Sequence, residues 1–234
     1  MAISVIQTNH EADAGVQSFG MFIVEGMPEA DILVVAVQMV DSSVTDRVVL
    51  SVVLEDTDWE DVLNLIHIPG ADIDDGAEFK TEFWYVVNSP ALPNTHFSPI
   101  IRVNLAGKCT DVSGAAMFMN GIDKDNPIGA IQTGSDSGTA PTITVVTQNA
   151  NSYVMDSLVS GESVGTKIRP YHTEIHKTDV GGDTTGSQYV DAGDAGNQIM
   201  NWYDDDADTP WIMSAVEIKV SAPPTAGKSF GCII

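Results

Sequence analysis

The sequence predicts an all-β fold, a single antiparallel β-sandwich domain with little helix that covers residues 1–221 and is followed by a C-terminal extended arm, 222–234. Short runs rich in Val and Ile, which fit a pleated surface, alternate with Gly, Pro, Asn and Asp along almost the whole chain. No regular alternation of strands with helical segments is visible, which argues against a helix-covered parallel sheet.

The individual strands follow from these runs in order. Turn residues separate them, as is typical of a sandwich. The runs lie at residues 16–24, 32–40, 47–54, 79–87, 100–105, 115–119, 142–147, 153–159, 167–175, 199–202 and 211–220. Residues 58–67 (DWEDVLNLIH) begin with a cap-like Asp and carry acidic residues in the first turn, so they fit a helix or, equally, a strand.

Runs 32–40 (ILVVAVQMV) and 47–54 (RVVLSVVL) are apolar on both faces, whereas a sandwich strand ordinarily buries one. A loop or a neighbouring subunit must cover the second face, and we expect a subunit, because large exposed apolar patches mark interfaces. The arm contains two prolines and ends in an apolar tip, so we expect it to dock as well; a frayed terminus is the alternative. A homo-oligomer, dimer or trimer, is therefore predicted, with candidate interface residues Val34, Val35, Val49, Val52, Phe230, Ile233 and Ile234.

The charge balance excludes two classes of partner. Ten Lys and Arg stand against 33 Asp and Glu, a formal net charge of −23. Nucleic acids and anionic membranes are bound mainly through Lys and Arg, so neither is expected as a partner. No apolar run reaches the length of a membrane span, and no signal peptide is visible. Cys109 and Cys232 could pair through the C-terminal arm, but free thiols are the expectation for a protein made in the cytoplasm.

Clusters of aspartate indicate the one candidate cofactor, calcium, although none is required by the fold. The densest cluster is Asp204, Asp205, Asp206 and Asp208; residues 72–75 and 123–126 are the others. Calcium takes six to eight oxygen ligands and tolerates irregular loops. None of the clusters has the glycine and glutamate spacing of an EF-hand.

Aromatic residues flank the densest cluster. Trp202 and Tyr203 precede it and Trp211 follows it, so these three are the candidate ligand-binding residues. Exposed aromatic faces stack on sugar rings, while nearby Asp and Asn accept hydroxyl protons. Core packing is the alternative for each tryptophan.

Two patterns associated with catalysis are present, and neither carries a catalytic prediction. Residues 161–165 (GESVG) match the nucleophile elbow of hydrolases, but a β-like segment follows instead of the helix that this motif needs. His172, Glu174 and His176 would share one face of a strand, yet no convincing further zinc ligand is nearby. We expect no enzymatic activity and assign no catalytic residue.

The order of several motifs resembles the jelly-roll-like, or concanavalin-like, β-sandwich modules of tailed-phage virion proteins and related bacterial surface proteins. The motifs are the apolar strand 32–40, WYVVNSP at 84–90, GIDKDNPIG at 121–129, the Thr-rich strand 142–147 and the Trp-bearing strands 199–202 and 211–218. The resemblance covers residues 15 to 220, and the two-sided apolar strands, the density of aspartate and the C-terminal arm depart from it.

The resemblance implies a non-enzymatic viral structural protein, a capsid decoration or spike protein on the exterior of a virion. Such a protein is made in the host cytoplasm without a signal peptide, and its partners are its own copies and the major capsid or another virion protein. The alternative is a carbohydrate-binding module that recognises a surface glycan for receptor binding. Both are analogies at the level of fold.

Overall fold

The computed structural model describes residues 4–22, 29–55, 61–90, 100–161, 167–168, 170–180, 182–203 and 209–221. These residues form sixteen β-strands and no helix, so among them no helix is long and apolar enough to cross a membrane. Every strand pairing is antiparallel. The predicted all-β antiparallel fold is confirmed.

The first half of the chain builds one large sheet. Its eight strands are β1 (Ser4–Phe22), β2 (Ala30–Val40), β3 (Val49–Glu55), β4 (Asp61–Asn64), β5 (Ile66–His67), β6 (Ile73–Asp74), β7 (Phe79–Ser89) and β8 (Ile100–Asn120). The long strand β8 organises the sheet, because its first part pairs with β3, its second part pairs with β2, and β1 pairs with both parts.

This sheet closes on itself. β4 pairs with β3, and β5, one residue later, pairs with β7, while the Leu65 N–H between them donates to the Val52 carbonyl oxygen at 2.9 Å. The strand path β3–β8–β2–β7–β5–β4 therefore returns to β3, and we call it the ring. Apolar side chains of all these strands except the short β5 fill its interior, among them Leu33, Val52, Leu63, Val86 and Phe118.

The second half of the chain builds two further layers. The central sheet contains, in spatial order, β13 (Thr173–Val180), β14 (Asp183–Asp191), β11 (Tyr153–Ser160), β16 (Pro210–Ile218) and β9 (Ile128–Ser137). The outer sheet contains β10 (Thr142–Val146), β15 (Asn197–Tyr203) and β12 (Lys167–Ile168). One core joins the large sheet to the central sheet, and another joins the central sheet to the outer sheet. The predicted sandwich thus has a third layer.

The third layer explains the uninterrupted burial of β11. Met155 points into the core shared with the large sheet, whereas Val154 and Leu158 point into the core shared with the outer sheet. Because both faces of the central sheet are covered, its middle strands lack the alternation of apolar and polar residues that a two-layer sandwich shows.

The two-sided apolar strand β2 is explained in the same way. From residue 32 to residue 39, its odd-numbered residues, such as Val35, face the ring interior, and its even-numbered residues, such as Val34, face the central sheet. Val34, Val35 and Val52 are fully buried within the chain, and Val49 is half-buried. The prediction that these valines contact a neighbouring subunit is therefore wrong for the three buried ones, because the chain covers both faces itself. Phe230, Ile233 and Ile234, with the whole predicted arm, lie outside the described residues.

The predicted runs coincide with strands in the described part of the chain except 167–175, which a turn at 170–171 divides between β12 in the outer sheet and β13 in the central sheet. Two runs, 100–105 and 115–119, are parts of the single strand β8, whose polar middle hides its continuity in the sequence. Residues 61–64 and 66–67 are strands, so where 58–67 is described the strand alternative is correct. The tertiary partners β3 and β7 decide this ambiguity.

Candidate functional site

The exposed face of the outer sheet is the candidate site. On β10, Thr142, Thr144 and Val146 are exposed and alternate with buried Ile143 and Val145. Directly opposite on β15, Ile199 pairs with Thr144 and is exposed. Tyr203 ends the same strand and is 38% exposed. We call Thr142, Thr144, Val146, Ile199 and Tyr203 the outer face.

The structure separates the three predicted ligand-binding aromatic residues. Tyr203 belongs to the outer face, but Trp202 is fully buried and Trp211 is 7% exposed. Both tryptophans lie in the core between the outer and central sheets. The prediction that they stack on a sugar is wrong, because strand alternation turns Trp202 inward while its neighbour Tyr203 points outward.

A glycine in the central sheet makes room for Trp202. A Cβ atom added to Gly186 would stand 2.7 Å from Cη2 of the indole, so a side chain at this position cannot be accommodated without movement. The indole therefore lies directly on the backbone of β14. Close approach of this kind is one of the reasons for glycine in the interior of a strand.

The predicted calcium ligands Asp204, Asp205, Asp206 and Asp208 lie outside the described residues. Within the described part of the chain, no group of three or more His, Cys, Asp or Glu side chains is arranged to hold a metal ion. Calcium at residues 204–208 stays a prediction.

In the other two acidic clusters, carboxylates bind backbone amides. Asp75 Oδ1 accepts hydrogen bonds from the N–H groups of Ala77, Glu78 and Phe79 at 2.8–2.9 Å. Asp123 Oδ1 accepts from the N–H groups of Asp125 and Asn126, both at 3.2 Å. These aspartates hold the turns that precede strands, which is a common role of aspartate in loops.

The histidine segment does not form the predicted shared strand face. A register irregularity in the pairing of β13 with β14 falls between Glu174 and His176. His172 and His176 are buried, whereas the side chain of Glu174 is exposed. Ser163 of the GESVG pattern lies outside the described residues. Cys109 is a free, buried thiol whose pKa is raised to about 11 by burial.

A buried carboxyl group lies between the central and outer sheets. The side chain of Asp156 on β11 is inaccessible to solvent, and three N–H donors converge on it. Gln188 donates through Nε2 at 2.7 Å and through its backbone N–H at 3.2 Å, and Trp202 donates through Nε1 at 3.2 Å. Burial raises the pKa of Asp156 to about 8, although these hydrogen bonds act in the opposite direction.

Gln188 continues this network towards the surface. Its Oε1 lies 3.0 Å from Nδ1 of His172, whose residue is 8% exposed. Its Nε2 also donates to the backbone oxygen of Asn201 at 3.2 Å. Asp156, Gln188, His172 and Trp202 therefore form one hydrogen-bonded cluster, which we call the acid cluster.

The interface between the central sheet and the large sheet contains buried amide and hydroxyl groups instead of a carboxyl group. Gln38 on β2 donates through Nε2 to Ser157 Oγ at 2.6 Å and to Ser187 Oγ at 2.8 Å, and its Oε1 accepts from Ser113 Oγ at 3.0 Å. Thr81 and Thr185 extend the network through Ser157 and Ser113, respectively. All six residues are buried, and none of them ionises at ordinary pH. We call them the hydroxyl network.

A second buried carboxylate positions a loop beside the outer sheet. Glu217 on β16 accepts hydrogen bonds from the backbone N–H groups of Ala130, Gln148 and Asn149 at 2.9–3.1 Å. Burial alone would raise the pKa of Glu217, but these donors outweigh it and the pKa is lowered. The carboxylate therefore fixes the 147–149 turn, which follows β10, to the central sheet.

Sequence reasoning missed the acid cluster. The only signal was the pattern of β11, YVMDSLVS, in which Asp156 and Ser157 interrupt an otherwise apolar run. Polar residues inside a strand that is buried on both faces need internal partners. Those partners come from β14 and β15, which are distant in the sequence.

Comparisons with known proteins do not identify a family. No family model and no curated protein matches the chain. Among solved structures, a "Biofilm associated protein - B domain" aligns with 93% of this chain and 73% of its own length, at 6% sequence identity and a TM-score of 0.25. A likeness at this level carries no argument about function.

Proposed function

We propose that this chain is a non-enzymatic structural protein on the exterior of a virion, a capsid decoration or spike protein. The observation that carries the proposal is the outer face, on which Val146, Ile199 and Tyr203 are 60%, 45% and 38% exposed beside two threonines. Apolar side chains grouped on one exposed sheet face are typical of contact surfaces. The order of motifs along the sequence supports a virion as the location.

The stacked sheets suit such a role. Cores on both sides of the central sheet hold the outer sheet on a scaffold of two further layers, so the outer face is presented on a fixed support. The net charge of −23 favours solubility and repels other acidic surfaces, so we propose a major capsid protein or another virion protein with basic residues around its contact site.

A particle-binding assay tests this proposal. Purified protein is sedimented with virus particles released from cultures of the host that carries the gene, and bound protein is quantified. We expect the wild type to sediment with the particles and Ile199→Asp to bind about tenfold less, because a charge would be desolvated in the contact. Leu50→Asp is the matched control, since Leu50 is 63% exposed on β3, away from the outer sheet.

Two results would contradict the proposal. One is a wild-type protein that does not sediment with any particle and is absent from virions by immunogold labelling. The other is binding that Leu50→Asp and Ile199→Asp reduce equally, which would remove the outer face from the contact.

Self-association is part of the same proposal. We propose a dimer or trimer on the particle, formed through exposed surfaces because the valines Val34, Val35 and Val52 are buried within the chain. Light scattering of the full chain measures this directly. A monomer at all concentrations would exclude self-association in solution but would not contradict the proposed binding to the particle.

A carbohydrate-binding module is the second candidate, and the position of Tyr203 favours it. Tyr203 is exposed and stands next to the aspartates at 204–208 in the sequence, with the hydroxyl groups of Thr142 and Thr144 on the same sheet face. A glycan array in the presence of calcium is expected to give signals that Tyr203→Ala abolishes and Tyr171→Ala, at another exposed tyrosine, leaves intact. An array without signals would exclude this candidate.

A further inference from the structure

The hydrogen-bond partners described for the Asp156 carboxyl group are all donors, although this group is also able to carry a proton of its own. In the arrangement described above, Asp156 receives three N–H groups, and this satisfies a carboxylate. A neutral carboxylic acid needs one acceptor for its own O–H. Turning the side-chain amide of Gln188 supplies it, since Oε1 then replaces Nε2 beside Asp156.

Turning the Gln188 amide determines whether Nδ1 of His172 must accept or donate a hydrogen bond. With Nε2 of Gln188 facing the imidazole, Nδ1 of His172 must accept a hydrogen bond, which requires the Nε2–H tautomer. With Oε1 facing the imidazole, Nδ1 must donate instead. The cluster therefore has two self-consistent hydrogen-bond arrangements, one for neutral and one for ionised Asp156. With the amide turned, Gln188 no longer donates to the Asn201 carbonyl oxygen, so the hydrogen bond from Trp202 Nε1 is what joins the acid cluster to β15 while Asp156 is neutral.

Charged groups do little to compensate an ionised Asp156. From β14 and β15 it is faced by Gln188 and Trp202, which are neutral, and its pairing partner on β16 is Ala215. On β13, Glu174 is paired with Gln188, but its side chain is exposed. The pKa of Asp156 is shifted by burial and by hydrogen bonds, without a contribution from any cation. A carboxylate without a cation is costly in such a place.

We propose that Asp156, Gln188 and His172 form a proton-responsive latch, which holds the outer sheet on the central sheet while Asp156 is neutral and loosens it when Asp156 ionises. Trp202 connects the latch to the outer sheet, because its Nε1 donates to Asp156 while its ring packs on Gly186. The latch therefore controls the support of the outer face. This inference stands on the acid cluster alone and does not depend on the proposed virion location.

The direction in which stability changes with pH follows from the difference between the pKa of Asp156 in the unfolded chain and in the folded protein. Asp156 ionises near its ordinary pKa of 3.8 in the unfolded chain and at about 8 in the folded protein. Its contribution to stability is full below the lower value and declines as the pH rises to the upper one. By the same linkage, outer-sheet opening is expected to increase with pH between these two values and to level off above about pH 8, because Asp156 is then ionised in both the packed and the opened state.

Hydrogen–deuterium exchange of the full-length protein tests the latch. Exchange is measured at about pH 6 and about pH 9.5 and corrected for the intrinsic pH dependence of amide exchange. We expect protection in β10 and β15 to fall about tenfold or more relative to β11 and β14, because a sheet of three short strands is not stable unpacked. In Asp156→Asn the relative protection is expected to stay constant. Asp136→Asn, at an exposed aspartate on β9, is the matched control and should behave as wild type.

The proposal would be overturned if protection of β10 and β15 in the wild type, relative to β11 and β14, were the same at both pH values. It would also be overturned if Asp156→Asn lost this protection at the higher pH as the wild type does. If Asp156→Asn does not fold, infrared spectroscopy of the wild type decides. The carbonyl stretch of a buried carboxylic acid must be present at about pH 6 and lost above about pH 9. Its absence at the lower pH would overturn the latch.

Discussion

The two interfaces of the central sheet solve the same problem with different chemistry. Towards the large sheet, buried polar groups are an amide and five hydroxyls that bond to one another. Towards the outer sheet, the corresponding position holds Asp156, bonded to Gln188 and Trp202. The polar groups named here are all hydrogen-bonded, as buried polar groups ordinarily are. Of the groups named here, only the carboxyl group of Asp156 ionises, with a pKa raised to about 8 by burial.

This difference assigns different roles to the two halves of the molecule. The hydroxyl network joins the large and central sheets through neutral groups, so its own contribution to this contact is expected to be independent of pH. The outer sheet is joined through an acid, so its contact is expected to weaken at alkaline pH. The central sheet takes part in both contacts. Its strand β11 contributes Ser157 to the interface with the large sheet and Asp156 to the interface with the outer sheet.

The largest effect is expected at Gln38. Gln38→Leu keeps the approximate volume but takes away the partner of three buried hydroxyls, so we expect a loss of about 3 kcal/mol in the free energy of unfolding at every pH. Chemical denaturation at several pH values measures it. Gln132→Leu, at an exposed position on β9, is the control and should change stability by less than about 0.5 kcal/mol. A loss that varies with pH would contradict the neutral character of this interface.

A somewhat smaller effect is expected at Gly186. Gly186→Ala places a methyl group 2.7 Å from the ring of Trp202, so the outer sheet must shift. We expect a cost of about 2 kcal/mol and a change in the near-ultraviolet circular dichroism of tryptophan. In Gly161→Ala the added Cβ would be 3.4 Å from its nearest neighbours, an ordinary contact, so this control should be close to neutral. Equal effects of the two substitutions would show that Trp202 does not lie on β14.

The smallest effect is expected at Glu217, and it appears in acid. Because the folded-state pKa of Glu217 is lowered, its stabilisation is present above the unfolded-state value of about 4.5 and is lost as the pH falls through the folded-state value. Glu217→Gln should cost about 1 kcal/mol at pH 7 and flatten the stability curve on the acid side. A variant that loses stability in acid as steeply as the wild type would exclude Glu217 as a source of that dependence.

The sequence predicted the strands well because each run carries its own signal. Runs rich in Val and Ile, bounded by turn residues, located β2, β7, β10 and β16 without reference to the rest of the chain. The number of layers was not predictable in this way, because burial on two faces by the same chain and burial by a subunit give identical runs. Trp202 illustrates the limit, since the next residue, Tyr203, has similar chemistry and the opposite orientation.

The most direct test is the free energy of unfolding of the wild type and of Asp156→Asn, measured side by side from about pH 5 to about pH 8. We predict that the wild type loses stability relative to Asp156→Asn as the pH rises, since only the wild type has an acid that ionises in the unfolded chain while it stays neutral in the folded protein. Parallel curves across this range would contradict the account.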